Sequence, residues 1–475
     1  MKPIEIKNTS IIVHDYELGS QPQLEKLLSV WNQTCYRYDP KGYIYKEDTR
    51  ELRLPRGINM WYLEKTFNIP CQIDYKYDPF ENVIYKLKLE PRDDIQKRGI
   101  SFLLGENEFF HTKKYSQLSL NFDTGYGKTY TAIAALTYMQ MKSIIIVNRL
   151  KLKNQWRDEF IDKTNLSASH ICIVSSSHDI QKLMKENNSY KVYIVNHQTL
   201  FSYAKSHSWE EVGLFFKHIK VGVKIYDEAH MEFENIIRID LHTNTKKTFY
   251  LTANFQRSSY DENKLFATCF RNVVQYGLEE KVNVRKHIKY LAVFFNSKPN
   301  YIDRMTVKNK FGLNKNAYIA YQLKKDDMLS IVEMLINKIV KGKLLVLFST
   351  IDATDIVYNY LKVTFPDKTV SIINSNIPDE IKDQSYAADI IVSTPKSLGT
   401  GVDIKELKYI INTEPFSSEI LTNQIPGRLR ALSENEYSLY IEIIDKGFKE
   451  VVNAYKKRLK ILKNKCFETK IYEFK

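Results

Sequence analysis

From about residue 100 onward, short apolar runs alternate with longer stretches of helical period. The runs fall at 143–147 (SIIIV), 191–195 (KVYIV), 221–226 (VGVKIY), 249–251, 344–348 (LLVLF), 390–392 and 439–444. They are β-branched or aromatic and apolar on both faces, which suits parallel strands covered by helices on each side. The alternation occurs twice, so the fold class is α/β, two parallel-sheet domains in tandem. Residues 281–316 have no clean period, are rich in Lys, Asn and Asp, and read as the connection between the two, with the boundary at 283/284. The first 85 residues mix Tyr, Trp, Pro and charge without βαβ spacing and read as a small α+β module. The expected domains are therefore 1–85, 86–283 and 284–475. The last of these ends in a basic amphipathic helix: residues 445–475 hold ten Lys and Arg against four Asp and Glu. That helix either touches a phosphate backbone or packs on its own domain with a solvated basic face.

A chain of 475 residues is long enough for two or three domains. Its N-terminus lacks the layout of a signal peptide and no run of eighteen apolar residues occurs, so the expectation is a soluble, cytoplasmic protein with no membrane partner. Five scattered cysteines, never spaced C-x-x-C, suggest neither a disulfide framework nor a zinc site. The formal charge of +14 favours a polyanionic partner. An A+T-rich coding sequence would also enrich Lys, Asn, Ile and Tyr, so charge alone does not decide for nucleic acid.

The chemistry starts at residues 121–136, NFDTGYGKTYTAIAAL, where a short strand meets a good helix start. Backbone N–H groups at a helix N-terminus opened by glycines form a cradle for phosphates. Thr124, Gly125, Tyr126, Gly127, Lys128, Thr129 and Tyr130 would surround a nucleotide. Lys128 would reach the β- and γ-phosphates and Thr129 would help hold Mg²⁺. The first glycine expected of G-x-x-x-x-G-K-[ST] is Phe122, at a strand end where a side chain can be accommodated. Directly after the run at 221–226 come Asp227-Glu228-Ala229-His230. A strand ending in two carboxylates can turn Asp227 toward the metal and leave Glu228 to orient a water.

Loop and DEAH together resemble a superfamily 2 helicase, and other motifs of that family follow in order. Residues 92–96 (RDDIQ) resemble the adenine-sensing element, with Gln96 as reader. Residues 147–156 (VNRLKLKNQW) resemble the strand and helix that touch the nucleic-acid backbone. Residues 250–255 (YLTANF) resemble the coupling motif, departing from it at Asn254 and Phe255. Residues 394–404 (TPKSLGTGVDI) resemble the element whose Thr meets a phosphate and whose Gly-x-Asp faces the nucleotide. Residues 424–430 (QIPGRLR) resemble the arginine-finger helix. The family usually places two arginines three apart, on one helix face. Here Arg428 and Arg430 are two apart and Ala431 takes the usual second position, so on a regular helix one arginine acts, with Arg428 the first choice.

The resemblance implies two RecA-like domains with ATP and Mg²⁺ between them: Lys128, Asp227 and Glu228 from the first, Gly401, Asp403, Gln424 and Arg428 or Arg430 from the second. It also implies a coupling role for His230 and Thr252, and a nucleic-acid strand held near Arg149, Asn196, Thr394 and Lys396. The 1–85 module would then confer specificity. Its aromatics, such as Trp31, Tyr36, Tyr43 and Trp61, either stack on bases or form its core. Within the family the chain looks most like the phage and viral branch that remodels branched or partly unwound DNA. The implied protein is an ATP-driven DNA helicase or translocase, cytoplasmic (in the host if phage-encoded), its oligomeric state open with a monomer favoured. The alternatives are an RNA helicase or transcript-release factor, and a nucleic-acid-binding protein whose motor is inactive.

Overall fold

A computed structural model describes residues 4–474, apart from 33–34, 69–70, 74–76, 107–114, 123–125, 187–188, 254–259, 278–285, 310–311, 326, 379–380, 382–383, 399–403 and 430–435. It divides into two compact units, Met1–Asn283 and Val284–Lys475.

The first unit opens with a small sheet built from β1 (Ile4–Ile6), β2 (Ser10–Val13), β5 (Ile44–Lys46), β6 (Glu51–Pro55) and β7 (Cys71–Ile73), in the order β5-β6-β2-β1-β7. All its pairings are antiparallel except β1 with β7. A separate hairpin pairs β3 (Ser29–Asn32) with β4 (Arg37–Pro40). This α+β module is attached to the rest of the unit by close backbone approach. The Gly57 N–H donates to the Cys269 carbonyl at 3.1 Å, and a Cβ at Gly57 would collide with that oxygen. One apolar cluster runs from Ile4, Leu52 and Leu63 through to Ile144, Tyr226 and Phe270. Of the aromatics flagged in sequence, Tyr43 packs half-buried against this cluster, whereas Trp31, Tyr36 and Trp61 are exposed.

The remainder of the unit is a seven-stranded sheet of β8 (Gln117–Leu120), β9 (Ser143–Val147), β10 (Ile171–Val174), β11 (Val192–Asn196), β12 (Val223–Asp227), β13 (Lys247–Leu251) and β14 (Val274–Tyr276). Its order is β10-β11-β9-β12-β13-β8-β14, parallel throughout. The strands β9, β11 and β12 are buried along their length, as runs apolar on both faces require. Lys224 interrupts the apolar character of β12 without leaving the core. Its ammonium sits 2.5 Å from Asp240, and the hydroxyls of Tyr226 and Tyr250 donate to the same carboxylate at 2.7 and 2.6 Å. A buried charge persists where it is paired and the remaining lone pairs are filled.

The second unit repeats the architecture with β15 (Ile288–Phe295), β18 (Leu344–Leu347), β19 (Val370–Ile373), β20 (Ile390–Ser393), β21 (Tyr409–Asn412), β22 (Ser438–Asp445) and β23 (Glu468–Glu473). The order is β19-β20-β18-β21-β22-β15-β23, again parallel. A two-stranded ribbon, β16 (Lys308–Asn309) with β17 (Gly312–Leu313), lies between β15 and β18 in sequence. Two tandem RecA-like sheets with a small N-terminal α+β sheet are thus the fold. The stretch 281–316, expected as connection, instead contains β15, a strand of this sheet, along with the helix Tyr301–Thr306. The basic helix Lys449–Lys465 packs against β22, with Arg458 buried on Glu442 at 2.8 Å, and the chain then returns as β23. No helix among the described residues is long and apolar enough to cross a membrane.

Candidate functional site

Three neighbouring strands of the first sheet bring the site together, because parallel strands end on one edge and ligands bind outside their carboxyl ends. The order β12-β13-β8 places Asp227, Thr252 and the end of β8 side by side. Backbone bonds tie these ends: Ala229 N–H to the Leu251 carbonyl at 3.0 Å and Thr252 N–H to the Leu120 carbonyl at 3.2 Å.

Thr124 and Gly125 lie outside the described residues. Gly127 precedes the helix Lys128–Met139 in a left-handed conformation (φ 80°) and offers no side-chain cap, so the N–H groups of the first turn receive no side-chain acceptor from it. That is the condition in which a helix N-terminus takes an anion. A Cβ at Gly127 would collide with the amide of Gln96, which is buried in the helix Asp94–Leu104. The Gln96 amide is already engaged within the fold: its Oε1 accepts from Arg92 N–H at 2.8 Å and its Nε2 lies 3.5 Å from the Tyr126 carbonyl. Lys128 Nζ donates to the Phe122 carbonyl at 2.9 Å. Thr129 is half-buried on the first turn. Tyr130 turns into the fold, its hydroxyl donating to the Leu89 carbonyl at 2.7 Å.

The ring of Phe122 is buried in the apolar cluster of this sheet and fills a slot between two glycines. A Cβ at Gly99 would lie 2.9 Å from its Cζ, and one at Gly277 (φ 106°) 2.6 Å from its Cδ1. Tyr126 and Tyr276 flank it at 6.3 and 6.1 Å.

Asp227 is buried at the end of β12. Burial first, and the adjacent Glu228 charge second, push its carboxyl up to about 6, against the opposing pull of the Trp156 hydrogen bond and the Lys128 ammonium. The Trp156 indole N–H donates to Asp227 Oδ2 at 2.8 Å, and the Glu228 N–H donates to Oδ1 at 3.0 Å. Glu228 lies in the left-handed region (φ 50°), a conformation costly for this residue type that recurs at functional sites. Its Oε2 approaches His230 Nδ1 at 3.4 Å, and His230 Nδ1 shares a 2.9 Å hydrogen bond with the Thr252 hydroxyl. Glu228, His230 and Thr252 therefore form one chain from β12 to β13.

Trp156 was not among the residues expected here. It sits on the helix Leu150–Lys163, facing inward with Leu152 and Phe160 at four-residue spacing. The available signal was its position: an indole on a core-facing stripe needs an acceptor for its N–H. Arg149, expected on nucleic acid, precedes that helix and is half-buried. Asn196 is buried, its amide oxygen accepting from the Thr199 hydroxyl.

In the second unit Thr394 is buried and caps the short helix Pro395–Leu398, accepting from Ser397 N–H at 3.0 Å while its hydroxyl donates to Ser397 Oγ at 2.8 Å. Lys396 is exposed. Both line a cavity of about 1020 Å³ with Ser349, Thr350, Ser375 and Lys324. Ser349 Oγ has no hydrogen-bond partner among the described residues. Gln424 ends the helix Glu419–Gln424. The regular helix expected through 424–430 is not present: Pro426 cannot continue the ladder, and Pro426–Arg428 form a 3₁₀ turn in which Arg428 is buried. Reasoning from helical spacing of two arginines therefore does not apply. Arg430, Gly401 and Asp403 lie outside the described residues.

The family described as "Type III restriction enzyme, res subunit" matches residues 81–257. Transcript termination protein A18 of Yaba monkey tumor virus is 22 % identical over 400 residues, covering 81 % of this chain and 78 % of that protein. Protein 161L of Invertebrate iridescent virus 6, named as a candidate helicase, is 22 % identical over 437 residues, covering 85 % and 88 %. The structure titled S. cerevisiae Dbp5 bound to RNA and ADP BeF3 shares the fold, with a TM-score of 0.54 at 14 % identity, covering 80 % of this chain and 89 % of that one. The paired parallel sheets, the loop and acid-pair sequences at the carboxyl ends of β8 and β12, and these matches together support a helicase of superfamily 2.

Proposed function

We propose that the protein is a motor that couples ATP hydrolysis to movement along DNA, remodelling substrates that contain single-stranded or branched segments. The observation that carries the coupling is the Trp156–Asp227 hydrogen bond. The helix that follows Arg149, in the element that resembles the family's nucleic-acid contact, holds the carboxylate that the hydrolysis site needs. A shift of that helix on strand binding would move Asp227 directly.

The residues fit a nucleotide with a divalent cation. Gly127 leaves the first helical turn without a side-chain cap, and Asp227 and Glu228 form a desolvated acidic pair whose charge a cation would offset. Lys128 and the Gly127 turn would hold phosphates, and Thr129 and Asp227 would hold Mg²⁺. Bound there, ATP supplies the phosphoanhydride to be cleaved and Mg²⁺ the charge that neutralises it. Glu228 orients and deprotonates the attacking water, held in place by its strained backbone and by His230. Thr252, bonded to His230, passes the state of the acid pair to β13. In the second unit Arg428 is the candidate finger. The cavity with Thr394, Lys396 and the unpartnered Ser349 hydroxyl suits a sugar-phosphate backbone.

The relatives named transcript termination protein support a second reading, in which the motor releases a transcript. Their viral sources favour the cytoplasm of an infected cell as the place of action. The deciding measurement is ATP hydrolysis against single-stranded DNA, forked DNA, a four-way junction and matching RNAs. Forked or single-stranded DNA is expected to stimulate most, and stimulation by RNA alone would replace the DNA assignment. Lys128→Ala and Glu228→Gln are expected to abolish turnover. Trp156→Phe is expected to lower the stimulated rate by roughly 10- to 100-fold, the usual cost of losing a partner that orients a metal-binding carboxylate. An unchanged rate in Trp156→Phe would remove the coupling argument.

A further inference from the structure

The β3–β4 hairpin pairs Trp31 with Tyr38 and Val30 with Asp39. Side chains alternate across a strand, so Trp31 and Tyr38 share one face and Val30 takes the other. Val30 packs on the core. The opposite face presents aromatic surface to solvent: Trp31 is 40 % and Tyr38 45 % exposed, their rings edge to face at 5.0 Å. The Lys26 ammonium lies 5.1 Å from the centre of the Tyr38 ring.

Toward the tip, Tyr36 is 82 % exposed and holds a left-handed backbone (φ 50°). Asn or Gly would take that conformation with less strain. Tyrosine here gains neither burial nor backbone ease, which points to a use outside the fold. The ribbon is braced for such a use. Asp39 accepts from Asn32 Nδ2 at 2.7 Å and from Arg37 Nε at 3.0 Å, linking the two strands. Its base packs on the helices Pro22–Leu27 and Tyr260–Cys269. A Cβ at Gly42, where the chain leaves the hairpin, would lie 2.8 Å from Leu265 Cδ1 of the latter helix.

We infer that this hairpin is a stacking platform for an unpaired nucleobase, with Trp31, Tyr36 and Tyr38 offering ring faces and Lys26 the nearby cation. The inference rests on the motor reading above. A docking site for a folded protein would present a continuous apolar patch, whereas these few rings stand beside the Lys26 ammonium. Aromatic faces beside cations are what single-stranded nucleic acid uses, largely regardless of sequence. The N-terminal module is then the part that engages the strand where it leaves a duplex.

The test uses the full chain without nucleotide, titrated with forked oligonucleotides carrying 2-aminopurine on the single-stranded side of the junction, in DNA and in RNA versions. Binding is expected to change the probe's fluorescence. Trp31→Ala and Tyr36→Asn should each abolish that change and weaken fork binding about ten-fold. Tyr36→Asn should keep or raise the thermal midpoint, since Asn suits the backbone at that position, so loss of binding there is not loss of fold. The arm that responds, DNA or RNA, names the strand. An unchanged signal and affinity in both variants overturns the inference. So does altered self-association with nucleic-acid binding intact, which would make the face a contact between copies. The motor reading fails separately, if ATP hydrolysis by the unaltered protein responds to none of these nucleic acids.

Discussion

His197 shows how one buried ring sets a pH limit. It opens the helix His197–Ser206, stacks on Tyr226 at 5.9 Å, and neither ring nitrogen has a hydrogen-bond partner among the described residues. Burial alone holds its pKa down to about 3. The unfolded chain takes up this proton near pH 6.5 while the folded one resists until about 3, so the stability involved is intact above 6.5 and is lost as pH falls toward 3, by about 1.4 kcal/mol per pH unit. His197→Phe has no such titration. In urea unfolding the variant should gain roughly 2 kcal/mol on the parent at pH 5 relative to pH 8, and a pH-independent difference would contradict the account. Trp156 makes a related point. Its residue type and helical position were visible in the sequence, but its acceptor comes from a strand 71 residues away.

At the level of elements, the stretch between β8 and the helix Lys128–Met139 departs from the usual glycine pattern at Phe122, while Gly127 leaves the first turn of that helix without a side-chain cap. Sequence reasoning placed Phe122 at a strand end but had no means of finding its slot, because Gly99 and Gly277 come from a helix and from the stretch after β14. The three residues fit as a set. Restoring the usual pattern with Phe122→Gly should therefore destabilise the first unit by roughly 3–5 kcal/mol, the range for emptying a buried Phe site. Denaturant unfolding of that unit measures it, and a variant as stable as the parent would show that the slot collapses without cost. Elsewhere the apolar runs became strands close to their expected positions, since burial on both faces leaves an unmistakable pattern. The misread element was β15, whose alternating burial and interspersed polar residues hide it in a Lys- and Asn-rich stretch. The arginine segment was misread for a local reason, a proline that ends the helix at Gln424.

Across the whole molecule, a charge of +14 and the backbone contacts proposed above would make nucleic-acid affinity salt-dependent. Binding to single strands should fall linearly in a log–log plot against salt, losing about 0.7 in slope for each phosphate contact removed. Lys396→Ala, at the exposed rim of the 1020 Å³ cavity, should shallow the slope by about that amount and weaken all sequences alike. A sequence-selective loss, or an unchanged slope, would remove Lys396 from the strand path.

The α/β class and the tandem parallel sheets were legible in the sequence alone, as were the helix start at Lys128 and the strand end at Asp227, because doubly buried strands and helix starts are local patterns. Tertiary structure decided what depends on partners far along the chain. Phe122 found its two glycines, Asp227 gained an indole, Tyr130 and Asn196 turned inward, and Trp31 and Tyr36 stayed outside while Tyr43 did not. The physical reason is that periodicity specifies which face of an element is buried, whereas hydrogen-bond acceptors, ring slots and solvent exposure are fixed by what packs against that face.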